Sequence, residues 1–273
     1  MAKKTTAKKK TKKADKKKNI KSSPKKQAKA DLKKLRAMCY SDDKVATYIP
    51  GFDELIQGGF KRNSVNLIAG NAGTGKTIFA AQFLINGAIK KKEPGIYITF
   101  EEKKDKFYLD MACLGYDLQK LEDEGLFVYL EYTPEQVRNV LIEGGGVIDS
   151  IIEKIKAKRL VIDSITSFSL LYEEELSKKE AALSLFELIN KWGCTALLTS
   201  QNEAEREDQV KVSLEFEVDS VILLYHMKAK GERLRALEIL KMRRTQHSQK
   251  TYEITINANG IKINKNKIIK MSL

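Results

Sequence analysis

Residues 64–89 read SVNLIAGNAGTGKTIFAAQFLINGAI, and this stretch decides the fold. Its first part, residues 65–69, is a largely apolar run typical of a buried strand. Residues 70–77 then match the phosphate-loop pattern Gly-x-x-x-x-Gly-Lys-Ser/Thr, and an apolar helical stretch follows. A strand, a glycine-rich bend and a helix in this order predict a nucleotide-binding site at the end of the strand.

The residue types in the loop fit phosphate binding. Its glycines are expected to curl the backbone with positive φ, so that successive N–H groups point at phosphate oxygens. The helix N-terminus adds a partial positive charge. Lys76 is predicted to reach the β- and γ-phosphates of ATP, and the Thr77 hydroxyl to ligate Mg²⁺. The sequence thus predicts ATP and Mg²⁺ as cofactors, with a nucleotide-binding loop of Gly70, Asn71, Ala72, Gly73, Thr74, Gly75, Lys76 and Thr77.

Acidic residues follow two other predicted strands at the end where open α/β sheets bind ligands. Asp163 closes the run RLVID and is predicted to lie one hydrogen bond from Mg²⁺ and Thr77; the alternative is a cap on the following turn. Glu101 and Glu102 follow GIYITF. Neighbouring strand residues point to opposite faces, so at most one of the two would orient the attacking water. Glu101 is favoured, Glu102 is the alternative, and a solvated pair starting a charged helix is the third possibility.

Short β-rich runs alternate with helical stretches from Ser41 onward. Nearly continuous apolar runs such as RLVID and TALLTS predict a parallel sheet with helices on both faces. The segments after Asp219 predict an antiparallel extension, and the fold class is therefore α/β with an open, mostly parallel central sheet. Strands are predicted near Val65–Ala69, Gly95–Phe100, Leu126–Tyr132, Arg159–Asp163, Cys194–Ser200 and Asp219–Tyr225.

Two helix starts are predicted from capping boxes. Thr133 is followed by Gln136, and Ser177 is followed by Glu180. The second box would open a helix with an apolar face formed by Ala182, Phe186, Ile189 and Trp192.

Length and composition bound the remaining possibilities. A chain of 273 residues with 42% apolar side chains has room for one large α/β domain, which excludes fibrous and wholly disordered classes. No apolar run approaches the roughly 18 residues of a membrane span, and no signal peptide is present, so a cytoplasmic protein is expected. Cys39, Cys113 and Cys194 are too scattered for a disulfide framework or a zinc site.

The net charge of +14 is concentrated at one end of the chain. Residues 1–36 hold 17 of the 50 basic and 2 of the 36 acidic side chains, which leaves 33 basic against 34 acidic residues elsewhere. We therefore predict a disordered lysine-rich tail over 1–36 and a folded domain over 37–273. The tail is either an electrostatic arm for nucleic acid or another polyanion, or a solubilising extension.

Several spaced motifs together resemble one family. The segment IPGFDELIQGGFKRNSVNLIAGNAGTGKT, the paired glutamates, IDSITS at 162–167 and LEILKMRRTQH at 237–247 are similar to the KaiC-type domains of the RecA-superfamily ATPases. The resemblance covers about residues 45–263. It implies a RecA-like phosphate-loop core and a homo-oligomeric ring, usually a hexamer, with nucleotide between neighbouring subunits.

The resemblance also assigns residues that act across the subunit interface. Lys241 and Arg243 would reach the γ-phosphate of the next subunit's ATP, and Thr245 and His247 would lie beside its base and ribose. In a regular strand residues 237, 239, 241 and 243 share one face, so the two cations would emerge at its end. The alternative is a solvated basic strand end.

Departures from the family pattern limit which of the family's activities are expected for this chain. The clock proteins of this family carry two copies of the domain and a phosphorylated Ser/Thr pair without a clear counterpart here, so autokinase activity is not expected. Gln201 resembles the sensor glutamine of recombinases, or is a polar strand end. Residues 201–214 carry a net charge of −2, which disfavours a DNA-gripping loop.

The sequence leaves three candidate functions. The favoured one is a ring ATPase whose hydrolysis switches partner binding. The alternatives are a RecA/RadA-like nucleic-acid-binding protein that uses the basic tail, and a nucleotide-binding scaffold that hardly hydrolyses ATP. Duplex binding that survives deletion of residues 1–36 would favour the nucleic-acid alternative.

Overall fold

The computed structural model describes residues 43–201, 217–229 and 231–270. The chain divides into two units, 1–41 and 42–273, and the fold below is that of the second unit. The predicted tail and the acidic segment beyond Gln201 lie outside the described residues.

The elements of the described residues alternate between strand and helix in the first two thirds of the unit and are strands thereafter. The strands are β1 Lys44–Val45, β2 Phe60–Lys61, β3 Val65–Gly70, β4 Gly95–Thr99, β5 Phe127–Glu131, β6 Arg159–Asp163, β7 Thr195–Gln201, β8 Ser220–Ala229, β9 Glu232–Met242, β10 Tyr252–Asn257 and β11 Gly260–Ile268. The α-helices are α1 Lys76–Lys91, α2 Lys104–Cys113, α3 Leu118–Asp123, α4 Pro134–Glu143, α5 Gly146–Ile155, α6 Ile165–Ser169 and α7 Glu175–Trp192, and a 3₁₀ helix spans Asp53–Ile56.

Strands β3 to β11 form one sheet in the order β11-β10-β9-β8-β3-β7-β6-β4-β5. Every pair from β8 to β5 along this order is parallel, and β8 to β11 pair antiparallel. Helices α1 to α3 pack on one face and α4 to α7 on the other, each layer over its own apolar cluster. The predicted α/β class with a mostly parallel sheet is confirmed, and each of the six predicted strands is present within a few residues of its expected bounds.

One of the two predicted helix starts is wrong. Thr133 and Gln136 form the expected reciprocal capping box at the start of α4. Helix α7, however, begins at Glu175, so Ser177 lies inside the first turn and caps nothing. An acidic residue in the first turn suits the positive end of the helix dipole, which supports the earlier start. The predicted apolar face is nevertheless buried at Ala182, Phe186 and Ile189, with Trp192 half-buried.

The Gly-Phe-Asp segment before β3 has a structural role. The Asp53 carboxylate accepts hydrogen bonds from the backbone N–H groups of Thr47 and Tyr48 and from the Thr47 hydroxyl. Burial raises the pKa of Asp53, and these hydrogen bonds oppose that rise. Gly51 has a φ of 83°, and a Cβ there would lie 2.2 Å from the carbonyl oxygen of Ile263. The signature therefore fixes the chain entry against β11.

Glycine 87 in α1 makes room for a buried ion pair. Arg159 is 1% exposed and donates through Nε and Nη2 to Glu93 Oε2 at 2.8 and 2.6 Å. Its Nη1 donates to the Phe83 carbonyl at 2.8 Å. A Cβ on Gly87 would lie 2.2 Å from Arg159 Nε, so any larger residue there displaces the guanidinium.

We therefore expect Gly87→Ala to destabilise the protein. In a helix interior this substitution ordinarily stabilises by about 0.5–1 kcal/mol, whereas breaking a buried ion pair costs about 3–5 kcal/mol. The net loss should be about 3 kcal/mol in the free energy of unfolding measured with urea. Ser184→Ala, an exposed change in α7, is the matched control and should leave stability nearly unchanged. A gain in stability for Gly87→Ala would contradict this assignment.

In the part of the chain that the structure describes, none of the helices combines the length and the apolarity needed to cross a bilayer.

Candidate functional site

The phosphate loop leaves β3 at Gly70 and enters α1 at Lys76. Gly73 and Gly75 have φ values of 75° and 102°, as predicted for a curled loop. Gly70 does not, so that part of the prediction is wrong. Gly70 is needed for space instead, because a Cβ there would lie 2.4 Å from the carbonyl oxygen of Leu224 in β8. The hydroxyl of buried Thr74 closes the bend by donating to the carbonyl of Asn71 at 2.9 Å.

Lys76 lies along the inside of the loop. Its Nζ donates to the carbonyls of Gly70 at 2.8 Å and Asn71 at 3.0 Å. Burial lowers the pKa of Lys76, and the negative charges of Asp163 and Glu101 oppose that shift. The structure thus brings the loop lysine within electrostatic reach of both predicted carboxylates.

Asp163 is held by three hydroxyl groups. Thr77 Oγ1 donates to Asp163 Oδ2 at 2.9 Å, and Tyr97 donates to the same oxygen at 2.6 Å. Thr199 donates to Oδ1. The cap on the following turn is supplied by Ser164, whose side chain accepts from a backbone N–H of α6.

The arrangement of Thr77 and Asp163 suits a hard divalent cation. Because the Thr77 hydroxyl gives its proton to Asp163, the lone pairs of its oxygen remain available to a metal. Mg²⁺ prefers oxygen ligands and usually takes one or two protein groups together with substrate phosphates. The donor set at this edge of the sheet therefore fits a nucleotide-bound Mg²⁺.

The two glutamates after β4 have different surroundings. The Glu101 carboxylate accepts from the hydroxyl of Ser167 and lies 3.5 Å from the Ser164 hydroxyl. Glu102 pairs with Lys106 at 3.3 Å. Strand β4 ends at Thr99, so strand alternation does not explain this divergence. The backbone N–H groups of both glutamates donate to Thr99 Oγ1, which makes a turn that separates their side chains.

The residues predicted to act across an interface lie at the other edge of the sheet. Met242, at the end of β9, pairs with Ser220, which pairs with Asn66 near the start of β3. The phosphate loop follows the other end of β3, at Gly70. Gly70 lies four residues beyond Asn66 along β3, which corresponds to a separation of about 13 Å. Lys241, Arg243, Thr245 and His247 are thus not brought to the chain's own phosphate loop.

The predicted alternation along β9 is also wrong in its last part. The register shifts opposite Val221 and Ile222, where Leu240 is left as an extra, exposed residue. Arg243 follows the strand, and its backbone N–H donates to the carbonyl of Asp219 at 2.8 Å. The bulge and the strand end place the two basic side chains independently of simple alternation.

The basic segment 241–247, which begins at the end of β9, is anchored to the domain. Lys241 Nζ donates to the Val218 carbonyl at 3.0 Å. Half-buried His247 has its Nδ1 3.0 Å from the Ser248 carbonyl, and the Ser248 N–H donates to Leu55. The segment therefore has a defined path at this edge.

Gln201 ends β7 at the level of Gly70 and is exposed. Its backbone N–H donates to Thr166 Oγ1 at 2.8 Å, so the strand end is tied to α6. Its position beside the phosphate loop is compatible with the sensor role, which stays a prediction.

Sequence reasoning missed the groups that support the site. Arg235 Nε in β9 donates to the Gly73 carbonyl at 2.9 Å, behind the loop. The hydroxyl groups of Thr199 and Tyr97 donate to Asp163, and the hydroxyl of Ser167 donates to Glu101. Thr199 could have been found, since it lies two residues before the end of β7, a parallel strand adjacent to β6. Tyr97 could not have been found, because a tyrosine in an apolar strand predicts only a position in the core.

The site and the sheet define the class of protein. A phosphate loop between a buried strand and a helix, with an acidic strand end two strands away in a mostly parallel sheet, is the arrangement of a P-loop ATPase with a RecA-like fold. The chain belongs to the KaiC family of ATPases, since the family model described as "ATPase: KaiC" matches residues 45–268. Membership of this family implies ATP binding.

Individual relatives support the same assignment. The chain is 34% identical to the circadian clock oscillator protein KaiC of Synechococcus elongatus over 228 residues, which is 81% of this chain but 44% of that protein. It is 35% identical to a UPF0273 protein of Pyrococcus furiosus, covering 83% of this chain and 96% of the relative. The crystal structure of a KaiC-like protein from Pyrococcus horikoshii superposes with a TM-score of 0.72 at 38% identity, covering 81% of this chain and 98% of that one. The chain thus spans less than half the length of the cyanobacterial clock protein.

Proposed function

We propose that this protein is a Mg²⁺-dependent ATPase that works as a homo-oligomeric ring, with ATP at each subunit interface. The observation that carries the proposal is the cluster at one sheet edge: Lys76 in the phosphate loop, the Thr77–Asp163 pair and Glu101. The cluster supplies a phosphate cradle, a metal-ligand set and a carboxylate.

Each group in the cluster has one role in hydrolysis. The loop N–H groups and Lys76 bind the β- and γ-phosphates. Thr77 and Asp163 would hold Mg²⁺, which neutralises charge on the phosphate oxygens when bound. Glu101, oriented by the Ser167 hydroxyl, accepts a hydrogen bond from the attacking water. Gln201, beside the loop, senses the γ-phosphate.

The positions of two charged regions in one subunit support the proposed ring. The phosphate loop and the segment 241–247 lie at opposite edges of the sheet, so one subunit cannot bring both to the same nucleotide. A neighbour packed edge to edge would place its Lys241 and Arg243 at the γ-phosphate, with Thr245 and His247 beside the base and ribose. Cations supplied in this way stabilise the charge of the transition state.

We further propose a hexameric, cytoplasmic assembly whose hydrolysis switches the binding of a protein partner. The proposed organisation is the tail over 1–36 and the ATPase domain over 37–273. Binding of nucleic acid through the tail is the second proposal for the partner, and it rests on the charge partition alone.

Two variants test whether the site is shared between subunits. Arg243→Ala should leave ATP affinity near normal and lower turnover at least about 100-fold, because the cation acts on the neighbour's ATP. Lys76→Ala should also be inactive. A mixture of the two variants should regain turnover, since some interfaces then combine an intact Arg243 with an intact Lys76. Turnover of the mixture, measured by phosphate release, is the readout.

The matched control for this test is Arg138→Ala, which removes an exposed arginine from α4. It should retain wild-type turnover. Light scattering with and without ATP and Mg²⁺ establishes assembly. A mixture that forms mixed rings and stays inactive would contradict the shared site.

A further inference from the structure

A fully buried tyrosine lies beneath the proposed metal-binding carboxylate. Tyr97 in β4 is 1% exposed, and its hydroxyl donates to Asp163 Oδ2, the oxygen that also accepts from Thr77. A carboxylate oxygen can only accept, so the Tyr97 hydroxyl is the hydrogen-bond donor in this contact.

A second tyrosine connects the same ring stack to the glutamates. Tyr129 in β5 is the register partner of Tyr97, and the two rings stack with centroids 5.5 Å apart and planes 13° from parallel. Phe107 packs against both rings at 4.6 and 4.8 Å. The Tyr129 hydroxyl donates to the backbone carbonyl of Glu102 at 2.9 Å. The stack thus contacts the Asp163 carboxylate through Tyr97, and through Tyr129 it contacts the glutamate turn, residues 99–102, that carries Glu101 and Glu102.

We propose that Tyr97 and Tyr129, the tyrosine pair, are positioning residues that fix the metal-binding carboxylate relative to the glutamate turn. Their rings are held by neighbouring strands and by Phe107, so their two hydroxyls keep a constant separation. Tyr97 orients Asp163 toward Thr77, and Tyr129 holds the turn that presents Glu101. The inference rests on the proposed function.

The competing explanation is that the two tyrosines only pack in the core. Substitution by phenylalanine distinguishes this explanation from a positioning role. Tyr97→Phe and Tyr129→Phe keep the ring stack and remove one hydroxyl each. Groups that orient a metal ligand from behind typically contribute 10–100-fold in metal affinity or activity. A role in packing alone would leave both quantities unchanged.

The experiment measures the dissociation constant of ATP by calorimetry in Mg²⁺ and in EDTA, and the turnover as a function of Mg²⁺ concentration. In Tyr97→Phe we expect Mg²⁺ to tighten ATP binding about tenfold less than in the wild type, and half-maximal turnover to need about tenfold more Mg²⁺. In Tyr129→Phe we expect kcat about tenfold lower with unchanged Mg²⁺ dependence. Binding in EDTA should stay at the wild-type value in both, which shows that the variants are folded.

Tyr108→Phe is the matched control. Tyr108 packs in the same cluster, 6.0 Å from the Tyr129 ring, and its hydroxyl donates to the carboxylate of Glu122, away from the site. It should match the wild type in every measurement. If Tyr97→Phe and Tyr129→Phe also match the wild type, the inference is overturned while the proposed function stands. If wild-type ATP binding and turnover do not respond to Mg²⁺, the proposed function itself fails and the inference with it.

Discussion

Lys76→Ala is expected to weaken ATP binding at least about 100-fold. A hydrogen bond from a charged donor contributes about 1.5–3 kcal/mol, and Lys76 would make such bonds to both the β- and the γ-phosphate. Each 1.4 kcal/mol is a tenfold change in affinity. Calorimetry with ATP and Mg²⁺ measures the loss directly.

Two controls keep the result specific. Lys91→Ala removes an exposed cation at the other end of the same helix and should bind ATP like the wild type. Lys76→Arg keeps the charge but replaces a compact ammonium with a planar fork, so it should restore only part of the affinity. Lys76 also donates to the carbonyls of Gly70 and Asn71, so its replacement removes contacts within the loop. The melting temperature of each variant is therefore measured to show that the protein is folded. Wild-type affinity in Lys76→Ala would exclude the phosphate-loop assignment.

The sequence predicted the parts of the site that depend on local pattern and on the edge of a parallel sheet. The phosphate loop was readable because its glycines and Lys76 follow a strand at fixed spacing. The pairing of Thr77 with Asp163 followed from two strands that end at one edge. In contrast, the Ser177 capping box was wrong because Ser-x-x-Glu also occurs inside a helix.

Other features depend on tertiary contacts that no local pattern encodes. The bulge at Leu240 changes the face of the residues after it, and it is visible only in the pairing of β8 with β9. The buried hydroxyl of Tyr97 is equally hidden, since a tyrosine in an apolar strand indicates only a core position. The need for glycine at position 70 comes from the close approach of β8.

The choice between Glu101 and Glu102 decides which carboxylate is expected to control turnover. The charge of Glu101 acts on Lys76, and its carboxylate accepts from Ser167, so it faces the phosphate loop. Glu102 instead pairs with Lys106. Burial raises the pKa of Tyr129, and the charge of Glu102 adds to that rise. The surroundings therefore favour Glu101 as the group that orients water.

Glu101→Gln should lower kcat about 100-fold and leave the ATP dissociation constant near the wild-type value, because a water-orienting carboxylate acts in the transition state. The amide has the same shape and still accepts from the Ser167 hydroxyl, so the turn is preserved. Glu102→Gln is the matched variant and should reduce kcat far less. Single-turnover phosphate release with saturating ATP and Mg²⁺ compares the two. A larger loss in Glu102→Gln than in Glu101→Gln would reverse the assignment, and equal small losses would favour a nucleotide-binding scaffold over an ATPase driven by this turn.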